Sequence, residues 1–220
     1  AKLSEFWGRP MYIGATLLLP RDYDKHPETR YPAIYFQGHF SLQPPCGFSP
    51  QPVAESAASI ARRDARGIEN GHEFYQAWAS DDFPRAVAVT FQHPTPFFDD
   101  SYAVNSANNG PCQDALVEEL IPYLEKNFRL VPQGFARGLT GGSTGGYESM
   151  ALQVHRPDDF GGVWCYYPDS MDFRRLFGIN IYQDASAFQV PGYGGLYPER
   201  IAVRTGEGQP LQTIRQLSQL

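Results

Sequence analysis

Ser143 stands in Gly141-Gly142-Ser143-Thr144-Gly145, which fits G-x-S-x-G, with a short apolar run before it and a helical run after it. A serine at a sharp strand-to-helix turn is a candidate nucleophile. Such a corner forces the serine into a strained backbone conformation, so its neighbours must be small. Gly141, Gly145 and Gly146 meet that need. The turn lifts the hydroxyl above the carboxyl edge of a sheet. The helix behind it offers N-terminal N–H groups, whose partial positive charge favours developing negative charge. Two other readings fit the glycines: a plain Gly/Ser loop, and a phosphate-binding loop, which also joins strand to helix. No G-K-[ST] follows, however, and Ser143 occupies the place of the second glycine of G-x-G-x-x-G. The nucleophile reading accounts for both flanks.

A nucleophilic serine needs a proton acceptor, and the chain has five histidines. His26 and His72 fall in polar turns. His155 ends the helix behind Ser143, far from the site, where the helix dipole favours it. His39 and His93 each follow a strand-like run, so both should emerge on the edge that carries Ser143. They are expected to line the pocket or bond backbone, with base duty in an unusual order as the sharper alternative. Asp169 ends the strand after Ser143 and is the candidate acid, although a helix-cap role in "PDSMDF" fits it equally. Asp172 and Asp184 are weaker candidates. Asp99 and Asp100 lie in a long polar loop and are expected to shape the pocket or a turn.

The elements around these residues alternate. "MYIGATLLLP", "AIYFQG" and "RAVAVTFQHP" read as strands, the last being the clearest. "VAESAASIARRDARG" and "FYQAWASDDF" read as helical pieces. In "PCQDALVEELIPYLEKNF", Leu116, Leu120 and Leu124 recur at i+4, which predicts a helix kinked at Pro122. "FARGLT" is a strand, Thr144 to His155 a helix, and "FGGVWCYYP" a buried strand. This alternation predicts an α/β fold, a mostly parallel sheet with helices on both faces. Beyond residue 170 the pattern turns irregular, so 1–170 reads as the core and 171–220 as an excursion or cap-like segment. "QPLQTIRQLSQL" reads as the start of a helix.

With 42% hydrophobic and 19% charged residues, the 220-residue chain has an ordinary globular composition. A net charge of −6 supplies no basic stripe, which argues against nucleic acid. No apolar run approaches the roughly 20 residues that span a bilayer, and no cofactor fingerprint or metal-ligand spacing occurs. Cys165 sits in an apolar run and reads as core. Cys46 and Cys112 fall in Pro/Gly loops where pairing stays open, and so does the compartment, with a secreted or periplasmic one favoured. The aromatic-rich loops, with Phe97, Phe98, Tyr102, Tyr166 and Tyr167, fit packing or a bound ring.

"GLTGGSTGGYESMALQVHRPDDFGGVWCYYP" resembles the segment from nucleophile to next strand in esterases of the α/β-hydrolase superfamily, relatives of esterase D, feruloyl esterases and mycolyltransferases. "YPAIYFQGHF" resembles the family's earlier strand, and "ELIPYLEKNFRL" the helix before the nucleophile strand. The likeness runs from about Gly14 to Ser170. It implies that Ser143 attacks an ester or acyl carbonyl. It implies oxyanion donors from the Thr144 N–H and from His39 or Phe40, although Gln37 replaces the family's usual histidine. It implies the α/β-hydrolase fold, an order of serine, then acid, then histidine, and about two further strands. Those strands and the histidine are expected outside these 220 residues or in another chain. A binding module without a complete triad and an acyltransferase with the same site stay open as alternatives.

Overall fold

The computed structural model describes residues 1–39, 44–65, 69–97, 100–176 and 178–219. They form two compact units, Ala1–Asp169 and Ser170–Leu220. The first is built on five strands: β1 (Gly14–Leu18), β2 (Ala33–Gln37), β3 (Val87–Gln92), β4 (Arg137–Ser143) and β5 (Gly162–Pro168). Their order is β1-β3-β2-β4-β5. β1 runs antiparallel to β3, and every other pairing is parallel. The mostly parallel α/β architecture expected from the alternating pattern is therefore present.

Side-chain alternation along β2 and β3 sorts the core. Tyr35, Val87, Val89, Phe91 and Leu139 share one face of the sheet. That face is covered by the helical segment α3 (112–127), through Leu116, Ile121 and Leu124, and by Leu152 of α4 (Thr144–His155). The other face, at Ala86, Ala88 and Leu18, packs on Trp78. Trp78 belongs to α2 (Gly71–Trp78), which follows α1 (Ala57–Asp64). An Asn70–Glu73 capping box starts α2, satisfying N–H groups that its first turn leaves open.

Directly before Pro122, where the kink was expected, α3 carries a widened π-helical turn, Leu116–Leu120. Pro122 has no N–H for the carbonyl four residues back, and the wider turn absorbs that break. β5 is not buried: it ends the sheet, and Trp164 is 62% exposed, Tyr166 54% and Tyr167 80%. An apolar run signals burial only where another layer covers it. Cys165, on the same strand, is correspondingly only half-buried.

In the second unit, Pro210–Thr213, read as helical, is strand β7, pairing antiparallel with β6 (Ile201–Arg204). Only Ile214–Leu217 is helical there, opened by a Thr213–Gln216 capping box. Cys46 and Cys112 are free thiols, the first exposed and the second buried. Among the described residues no helix is long and apolar enough to cross a membrane.

Candidate active site

β4 ends at Ser143 and α4 begins at Thr144, with no loop between them. Ser143 takes φ 56° and ψ −123°, a backbone region that L-residues occupy only under constraint. Close packing holds the corner. A methyl group on Gly145 would run into the Gln37 carbonyl at the end of β2, and one on Gly141 into the Gly145 carbonyl. Ser143 itself is exposed.

β5 supplies the next contact through a bulge. Gly142 pairs with Tyr166 but Ser143 with Pro168, so Tyr167, at φ 34°, is the extra residue. The bulge carries Asp169 back to the corner, where its N–H donates to the Ser143 carbonyl at 3.1 Å. Its carboxylate accepts from Ser143 Oγ at 3.2 Å and from Thr144 Oγ1 at 2.9 Å. The sequence left a cap role open for Asp169, whereas the cap in this stretch is Asp172, which accepts from the Arg174 N–H.

Thr144 joins this pair to a histidine. Its Oγ1 lies 3.1 Å from His39 Nε2, and His39 Nδ1 lies 3.0 Å from Asp100 Oδ2. The Thr144 hydroxyl has one hydrogen and two prospective acceptors, Asp169 and His39. When His39 carries a proton on Nε2, that hydroxyl is free to serve Asp169. Among the described residues, Ser143 Oγ bonds Asp169 and no histidine.

Beneath His39 the groups are buried. Asp100 also accepts from the Tyr102 N–H at 2.8 Å. His93 Nδ1 lies 2.8 Å from Ser101 Oγ, and burial holds this imidazole below its ordinary pKa. His93, Asp100 and Glu148 bring one imidazole and two carboxyl groups within 4.8 Å of one another. Glu148 was not singled out in the sequence. Its signal is that Thr144–His155 contains one acidic residue and no lysine or arginine. Gln37 is buried as well, and among the described residues neither of its side-chain polar atoms has a hydrogen-bond partner.

The structure thus brings Ser143, Thr144, His39 and Asp169 together, and adds Asp100. Phe40, the alternative oxyanion donor, lies outside the described residues, as do Phe98 and Asp99. His155 sits at the far end of α4.

The chain is similar to a ferulic acid esterase at 18% identity and a TM-score of 0.48, over 70% of this chain and 53% of the other. A ferulic acid esterase from the anaerobic fungus Anaeromyces mucronatus matches at 15% and 0.36, over 72% and 60%. A fluorophosphonate-binding serine hydrolase from Staphylococcus aureus matches at 14% and 0.38, over 68% and 48%. The chain therefore spans about half to three fifths of the length of these proteins. No curated protein matches the sequence. Residues 8–170, well over half of the chain, match the family described as "Putative esterase", and the chain belongs to that family.

Proposed function

We propose that this chain carries the nucleophile of a serine esterase, with Ser143 attacking the carbonyl carbon of a carboxylic ester. The observation that carries the reading is the backbone of Ser143, held at positive φ where β4 meets α4. That conformation leaves the hydroxyl exposed beside the first N–H groups of a three-turn helix. The Thr144 N–H, with a second from His39 or Phe40, stabilises the oxyanion. The alcohol leaves with a proton, and water then releases the acyl group. Asp169 orients the Ser143 hydroxyl. His39 is the imidazole bonded into the same group, through Thr144, and is the candidate to take up the proton. An acyl acceptor other than water would make the same site a transferase.

A fluorophosphonate probe tests the nucleophile. Labelling of the wild-type chain is expected, and its loss in Ser143→Ala; a folded wild-type chain that takes no label sinks the reading. His39→Ala tests the imidazole separately. If labelling persists at the wild-type rate in that variant, the proton leaves by another route.

A further inference from the structure

Glu148 is fully buried on α4, one turn into the helix that Ser143 opens, and nothing proposed for Ser143 uses it. No ion pair with a lysine or arginine reaches its carboxyl group among the described residues, and neither oxygen meets a donor in hydrogen-bond geometry. Four groups face it. His93 Nε2 from the end of β3 stands 4.0 Å from Oε1, beyond hydrogen-bond reach. The Gly38 N–H lies beyond β2, and Asp100 on its loop, with the Asp169 charge farther off. An ionised carboxylate without a partner is strongly disfavoured there. A neutral acid, by contrast, has a hydrogen to give, and a carboxyl oxygen of Asp100 stands within 4.8 Å of one of its own.

We propose that Glu148 is a positioning residue: as a neutral acid it donates its hydrogen to Asp100, and the pair holds Asp100 as the carboxylate that fixes the His39 imidazole beside Thr144. Asp100 then takes the Glu148 hydrogen beside those from the Tyr102 N–H and His39 Nδ1. Burial, reinforced by the Asp100 charge, pushes the Glu148 carboxyl up to about 10, in keeping with a retained proton. A divalent cation is the rival neutraliser, since the three side chains are of ligand type. The geometry favours the proton. The two carboxyl groups approach different ring nitrogens of His93, Asp100 at Nδ1 and Glu148 at Nε2, and Ser101 already engages Nδ1.

Infrared difference spectroscopy on the whole chain at neutral pH reads the proton directly. A carboxylic-acid C=O band is expected in the wild type and absent from Glu148→Gln. No such band, or a stoichiometric divalent metal in the purified protein, overturns the proposal. Nitrogen NMR of His39 reads the positioning. Glu148→Gln, whose amide still donates, should keep the wild-type His39 signals, and Glu148→Leu should shift them. Unchanged signals in a folded Glu148→Leu chain overturn the positioning role; if that variant does not fold, shifted signals in Glu148→Gln overturn it instead. The kinetic consequence rests on the esterase reading: Ser143 labelling should fall about tenfold in Glu148→Leu and stay within about threefold in Glu148→Gln. A wild type that fails to label refutes that reading, while the infrared and NMR results still decide this one.

Discussion

On one flank of Ser143, His93, Asp100 and Glu148 lie buried under the ends of β2 and β3; on the other, Trp164, Tyr166 and Tyr167 stand in the open along β5. The buried flank holds its polar groups in place with few bonds, because each unpaired group in low dielectric is heavily penalised. The open flank has no such lever. There Asp169 is fixed by main chain, through the bulge and the bond from its N–H to Ser143. A side chain can thus be oriented beside one serine in two ways, by withdrawing water or by shaping backbone.

The contrast can be broken experimentally, and the largest effect is expected from the buried acid. Glu148 has a raised pKa, so its contribution to stability is complete below its unfolded value near 4.5 and is lost as pH rises toward about 10. Across that window the wild type should lose stability steadily relative to Glu148→Gln as pH rises. Chemical denaturation of both chains at several pH values measures the difference. His93 pulls the opposite way: its lowered pKa gives stability that is present above its unfolded value of 6.5 and fades as pH falls. It is present in both chains and largely cancels.

Leu139, fully buried under α3 and α4, comes next. Leu139→Ala should cost about 2–5 kcal/mol in urea unfolding, through lost burial and the cavity left behind. Asp169→Asn acts on the site rather than the fold. Removing the charge that orients Ser143 should slow fluorophosphonate labelling about tenfold, with little change in melting temperature. The smallest effect belongs to the open flank, where Trp164→Ser should change stability by no more than about 0.5 kcal/mol. A large loss from Trp164→Ser would mean that something covers β5 in solution.

The corner itself was legible in the sequence because its constraints are local. G-x-S-x-G states which neighbours must lack side chains, and Gly141 and Gly145 meet carbonyls where a methyl would sit. β3 was plain from its β-branched and aromatic residues, and β2 as a short apolar run closed by glycine. What escaped depended on contacts distant in sequence. "GVWCYYP" has the composition of a buried strand, yet exposure is decided by what lies over it. "PLQT" carries no strong strand signal and becomes a strand through pairing with Ile201–Arg204. His39 and Asp100 are 61 residues apart, and no spacing rule announces that they meet. Glu148 went unremarked because its burial depends on how α4 packs against the sheet.

The bulge at Tyr167 also makes the tip of β5 a ruler. Strand residues alternate between faces, so one residue more or fewer between Tyr166 and Asp169 would reverse the direction of everything that follows. Deleting Tyr167 would leave every chemical group of the site in the sequence and still turn the carboxylate away from the serine. Chain length at this point, rather than the identity of the tyrosine, is what the protein has to preserve.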